Sequence, residues 1–286
     1  MREMDGIHIY QRINRISAEG LINFLKFTSN MDISEHRRPQ VGARFFNFEN
    51  NQINLRLSSM GDFSNRESLV IRLIYPLGNL HSDDNELDEI INSRGLVLFS
   101  GPTGSGKTTS MYQLAKKYGE EKIVLSIEDP VEITEASFLQ VQVNERAGMS
   151  YAELVKTSLR HRPDILILGE IRDENTAKMA LRASLSGHLV ISTVHARNKF
   201  AVIARMMELG INQQELLSAL SCVIYQRLVP HVDMKIHAYR DILNKNKLEN
   251  AIKIPQSNYS DWQNLMNDAY QKGLISHQTY QQYQQG

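Results

Sequence analysis

Nine consecutive residues, Gly101-Pro102-Thr103-Gly104-Ser105-Gly106-Lys107-Thr108-Thr109, set glycines, an ammonium and hydroxyls at the spacing G-x-x-x-x-G-K-[ST]. Residue types at this spacing bind phosphate. Glycines let backbone N–H groups approach phosphate oxygens and adopt dihedrals a side chain forbids. A helix opening just after them points its positive end at the anion. Lys107 can reach the β- and γ-phosphates, and the Thr108 hydroxyl can ligate Mg²⁺. Lys107-Thr108 also excludes a dinucleotide fingerprint, which wants a third glycine region there.

Three further segments end apolar runs in chemistry-bearing residues. Ile127-Glu128-Asp129-Pro130-Val131-Glu132 places acids just past a strand, where they can orient water or Mg²⁺; the plain alternative is a solvated turn. Ile165-Leu166-Ile167-Leu168-Gly169-Glu170 is a buried run followed by an acid able to hold Mg²⁺ or polarise water. Gly169 stands where an Asp is usual, and Asp173 alone fits a helix N-cap. His195 follows a third run and can hydrogen-bond a γ-phosphate, whereas His188, at that run's start, is as readily structural. Arg56 and Arg72 sit on separate strands of an earlier region. They either point to solvent or complete the site by stabilising charge on a transferring phosphoryl group.

The elements that must position these groups can be read from periodicity. Residues 1 to about 80 form a small α+β domain. It has a short strand at Ile7 and Ile9, a helix capped by Ser17, and a hairpin through 43–48 and 53–57 with Ile53, Leu55 and Leu57 on one face. A further strand covers 68–74. Pro76 to Glu86 has a linker's composition. From 81 to 286 helices alternate with apolar strands at 95–100, 122–127, 164–169 and 188–194. That alternation implies an α/β fold with a mostly parallel sheet covered by helices on both faces. A capping box opens a helix at Ser150, and Gly187 closes the helix that begins at Asp173. Beyond about residue 198 the chain reads as helices only, the final one fraying over 278–285. The 286 residues carry 42% hydrophobic residues and no net charge, so no nucleic-acid-binding surface is advertised and no direct nucleic-acid contact is expected. The one cysteine, Cys222, excludes an intramolecular disulfide and a multi-cysteine zinc site; it reads as a buried, inert thiol in a helical stretch. No run reaches the ~18 apolar residues of a membrane span, and the N-terminus carries no secretory signal.

Taken in order, GPTGSGKTT (101–109), SIEDPVE (126–132), LRHRPDILILGEIRD (159–173) and GHLVISTVHA (187–196) resemble the Walker A, Asp box, Walker B and His box of the type II/IV secretion and type IV pilus ATPases. RRPQVGA, NLRLSSMGDF and ESLVIRLIY resemble the carboxyl half of that family's second N-terminal domain. The resemblance runs from about Gln11 to about Arg227. It implies a RecA-like P-loop ATPase core behind the small domain, binding ATP and Mg²⁺ and working as a homohexamer. Carried over by position, residues 101–109 hold the nucleotide, and Thr108 and Glu170 hold Mg²⁺. Glu128 activates water, Glu170 supports metal and water, His195 senses the γ-phosphate, and Arg56 and Arg72 match the arginine fingers.

The sequence departs from the family pattern in three places. The first N-terminal domain and the start of the second are missing. The cysteine pairs that assembly ATPases carry after QRLVP are absent, as is the AIRNLIRE-like segment of retraction ATPases. What remains is most similar to the competence-pilus assembly ATPases of Gram-positive bacteria. This implies a cytoplasmic motor, peripheral on the inner face of the cell membrane, that works on an inner-membrane platform protein to power a DNA-uptake pilus. The alternatives are an ATP-binding scaffold with little hydrolysis, or a pilus-retraction or type II secretion ATPase. A small-molecule kinase would need an arginine-rich lid after the core strands, which the sequence does not offer.

Overall fold

The chain divides into two compact units, Met1–Gly78 and Asn79–Gly286, each with its own hydrophobic core residues. The computed structural model describes residues 2–3, 6–48, 51–74, 87, 94–144, 147–254 and 261–286. The linker expected over 76–86 and the hairpin residues Glu49 and Asn50 lie outside these.

In the first unit, β1 (Arg2–Glu3) and β2 (Gly6–Ile7) pair antiparallel ahead of helix α1 (Arg15–Thr28). The cap of α1 is Asn14, whose side chain accepts from the Ser17 N–H; the expected cap, Ser17, lies inside the first turn. Asn and Ser cap about equally well, so propensity alone could not choose between them. β3 (Gln40–Phe48), β4 (Asn51–Gly61) and β5 (Glu67–Ile74) form an antiparallel meander. Ile53, Leu55 and Leu57 alternate along β4 and bury against Leu25 and Met31, as a half-buried strand requires. Lys26 is fully buried, and its ammonium is held by Glu67 Oε1 and the Glu35 carbonyl, both at 2.7 Å.

The second unit is built on a seven-stranded sheet in the order β12-β11-β6-β10-β9-β7-β8. β6 (Gly95–Ser100), β7 (Val124–Glu128), β8 (Leu139–Gln142), β9 (Ile165–Leu168), β10 (Leu189–Thr193) and β11 (Leu220–Pro230) run parallel, and β12 (Ile236–Leu243) antiparallel. β6, β7, β9 and β10 are buried almost end to end, which explains their unbroken apolar runs. The crossovers are α2 (Lys107–Tyr118), α3 (Tyr151–Ser158), α4 (Glu174–Leu185), α5 (Lys199–Glu208) and α6 (Gln213–Ala219). Ser150 and Asp173 cap α3 and α4 as the sequence implies, and Gly187 takes φ +100° just past α4. Because β6, β10, β9 and β7 are neighbours in that order, the loops leaving their carboxyl ends line one edge of the sheet.

The expectation of helices alone beyond residue 198 is corrected by β11 and β12. Pairing with β6 decides it. β6 lies inside the sheet, and its second edge needs a strand to satisfy the backbone N–H and C=O groups there, so tertiary pairing overrides local helical character. Cys222 is accordingly a strand residue. It is fully buried, and burial pushes its thiol up to about 12. The described residues end in α7 (Lys245–Lys253), α8 (Asp261–Gln271) and α9 (His277–Tyr283). The last is not frayed: Ser276 caps it, and Tyr280 and Tyr283 pack on the cluster of Trp262, Met266, Tyr225 and Val229. Trp262 meets the Tyr225 ring edge-on at 5.2 Å, and its indole N–H donates to the Tyr283 carbonyl at 2.7 Å. Trp262→Ala should therefore cost ~3–5 kcal/mol of unfolding free energy, measured by urea denaturation.

Candidate active site

The phosphate loop leaves β6 at Gly101, whose φ of +141° only glycine adopts freely. A Cβ there would lie 2.1 Å from the Gln226 carbonyl oxygen on β11. Gly106, at φ +79°, is the N-cap of α2 and supplies no side-chain cap. Six other helices are capped by a side chain: Asn14, Ser150, Asp173, Asn198, Asn212 and Ser276. The first N–H groups of α2 are thus left for a ligand, and the helix dipole favours an anion there. Ser105 Oγ is buried without a hydrogen-bond partner among the described residues, a second donor waiting in the same loop. Lys107 folds back over the loop and donates to the Gly101 and Pro102 carbonyls, both at 2.9 Å. Burial pulls its pKa down, and the charges of Glu132 and Glu170 oppose that shift, so both acids lie within electrostatic reach.

Thr108 Oγ1 donates to Glu132 Oε2 at 3.2 Å. Glu170 follows β9 and has two neighbours: Arg172 Nη2 contacts its Oε1, and His195 Nε2 is 3.7 Å from its Oε2. The β9 and β10 ends are tied by Ile171 N–H to the Thr193 carbonyl and by Thr193 Oγ1 to the Gly169 carbonyl, each at 2.8 Å. Lys107, Thr108, Glu170 and His195 therefore share one edge of the sheet, as their strand ends imply. His188 sits at the opposite end of β10, its Nδ1 3.0 Å from the Ala183 carbonyl of α4, a structural position.

Glu128 is placed differently from the other acids. Its carboxylate is buried at the end of β7, accepting from Tyr112 of α2 and from Ser126 Oγ at 2.9 Å. Burial raises its pKa, against these hydrogen bonds and one from the Glu132 N–H. Gly169 gives the space for it: a Cβ there would lie 2.9 Å from the Tyr151 hydroxyl and 3.3 Å from Glu128 Cγ. The absence of an Asp before Glu170 is thereby explained, since a side chain at 169 would meet Glu128 and Tyr151.

Arg56 and Arg72 belong to the first unit. They are direct cross-strand partners on β4 and β5, on the face opposite Ile53, Leu55 and Leu57; Arg56 is half-buried and Arg72 exposed. Cross-strand guanidinium groups repel, so the pair favours an anionic neighbour.

A family profile described as "Type II/IV secretion system protein" matches residues 5–272. The chain belongs to this family. The competence protein ComGA of Streptococcus pneumoniae is 47% identical over 213 residues, covering 73% of this chain and 68% of that protein. Two solved structures share the fold. One is the Legionella pneumophila ATPase DotB, at a TM-score of 0.74 and 21% identity, over 97% of this chain and 85% of that one. The other is the pilus retraction motor PilT with bound ADP, at 0.66 and 25%, over 85% and 77%. Membership of the type II/IV secretion family fits the doubly covered sheet and the ordered loops along its edge. Within this family member, residue types alone did not single out several groups that shape the site. Glu132 was legible as a second acid four residues beyond Glu128. Tyr112, Tyr151 and Gln226 gave no signal, because each acts across the sheet from a distant element.

A buried carboxyl whose folded pKa is raised lends stability below its unfolded pKa and loses it as pH rises through the folded value. Glu128→Gln should therefore melt above the parent protein at pH 8, and the gap should close toward pH 5, read by calorimetric scans across that range.

Proposed function

We propose that this chain binds ATP at residues 101–109 and hydrolyses it. The observation that carries the reading is the uncapped start of α2 under a glycine-built loop, with Lys107 poised across it. A triphosphate entering there exchanges the Lys107 contacts with the Gly101 and Pro102 carbonyls for contacts with phosphate oxygens, and it pairs with the first α2 amides. The oxygen donors beside it suit Mg²⁺: Thr108 Oγ1 and the carboxylates of Glu132 and Glu170 are the groups that would hold it. When bound, the ion neutralises charge on the phosphoryl oxygens.

Glu170 polarises the attacking water, and its contacts with Arg172 and His195 hold the carboxylate in place. His195 reports on the γ-phosphate through the same contact. Glu128 is the candidate base. Burial raises its pKa, which favours uptake of a proton, and Tyr112 must give way before its carboxylate meets water. Arg56 and Arg72 supply positive charge to the transferring group.

The likeness to competence protein ComGA supports a role as the ATPase that assembles a competence pilus for DNA uptake. In that role the chain acts as a homohexamer on a membrane platform protein at the inner face of the cell membrane. Among the described residues no helix is long and apolar enough to cross a membrane. Phosphate release should fall at least ~100-fold in Lys107→Ala and Glu170→Gln, with Glu170→Gln still binding ATP. Arg56→Ala and Arg72→Ala should lower kcat and leave ATP binding intact. Normal turnover in Lys107→Ala would remove the assignment.

A further inference from the structure

Gln226 is an uncharged residue on β11, fully buried beside the phosphate loop. Its neighbour Tyr225 pairs in register with Ser100, the last residue of β6, so Gln226 lies where that strand gives way to the loop. It touches both ends of the loop. Its carbonyl oxygen is the atom that a Cβ on Gly101 would strike, and its Nε2 lies 3.2 Å from the Cβ position of Gly106. Between these, Nε2 donates to the Ser105 carbonyl at 2.7 Å. Its Oε1 accepts from Ser110 Oγ in the first turn of α2 at 2.9 Å, and from Arg240 Nε on β12 at 2.8 Å. Arg240 is the register partner of Gln226, is itself buried, and also donates to Ser110 Oγ at 3.2 Å.

Arg240 fixes which way the amide points. A guanidinium only donates, so the atom facing it must be the amide oxygen, and the NH₂ is thereby turned to the Ser105 carbonyl. The loop itself is poor at holding a shape. Gly101, Gly104 and Gly106 all take positive φ, and glycine-rich backbone loses more conformational freedom on ordering than any other. We propose that Gln226, oriented by Arg240, is a positioning residue that holds the phosphate loop in its binding shape ahead of the nucleotide, so that ATP meets amides already aimed at its phosphates. This rests on the ATP-binding reading above. Preorganisation of this kind appears as affinity, because a loop ordered in advance need not be ordered by the ligand.

The test uses the full chain with Gln226→Glu and Gln226→Met. Gln226→Glu still accepts from Ser110 and Arg240 but cannot donate to Ser105, and it sets a carboxylate against that carbonyl. Gln226→Met removes all three contacts without charge. Hydrogen exchange of the 101–110 peptide is followed without nucleotide, ATP affinity by calorimetry, and folding by melting temperature. The expected result is about tenfold faster exchange confined to that peptide, and ATP binding weaker by about tenfold, with Gln226→Glu melting close to the parent. Unchanged exchange and unchanged affinity in both variants would overturn the proposal. A lowered melting temperature with parent-like affinity in the folded protein would also overturn it, since Gln226 would then only fill the core. Should the parent chain itself fail to bind ATP, the ATP-binding reading falls, and the exchange comparison still decides whether Gln226 holds the loop.

Discussion

Backbone amides without an internal partner at the start of α2 are the constraint around which the second unit is arranged. A helix end of this kind is usually closed by a side chain, as six others in this chain are. Here Gly106 leaves it open, and β6, buried between β10 and β11, delivers the chain to that point with little freedom. Lys107 bonds the loop's own carbonyls, and Ser105 Oγ is buried without a partner among the described residues. Donors gathered at the start of a helix in this way suit an anion.

The acids near this loop differ by environment more than by type. Glu170 is partly open to solvent, in contact with the Arg172 guanidinium and with His195 Nε2 3.7 Å away. Glu128 is enclosed by Tyr112 and Ser126, and burial favours its neutral form. Gly169 separates the two acids and leaves room for the Glu128 side chain above it. One sheet edge therefore carries a partly open carboxylate beside an arginine and an enclosed one whose neutral form burial favours. The first unit adds a different electrostatic element. Arg56 and Arg72 face each other across β4 and β5 on the side away from its core. A sheet meander fixes such a pair by register alone, without a dedicated loop.

Much of this was legible in the residues. The loop, the acids at the ends of β7 and β9, and His195 after β10 are local: a strand's apolar run ends, and the next side chain faces whatever lies beyond it. Periodicity likewise gave the alternation along β4 and the caps of α3 and α4, because both depend on spacing within one element. Where two local choices were nearly equal in energy, as between Asn14 and Ser17, the sequence did not discriminate.

Local pattern therefore determined which elements bear the chemistry and the order in which they occur. Tertiary pairing decided the rest. Residues 220–230 are a strand because β6 had a second edge to satisfy, and that pairing alone brings Gln226 to Ser105, more than a hundred positions earlier in the chain. The depth of Glu128 beneath Tyr112 and the opposition of Arg56 to Arg72 were settled in the same way. Hydrogen bonds and burial between distant segments leave no periodic trace in a sequence, since their energy depends on where the chain returns and not on what stands next to each residue.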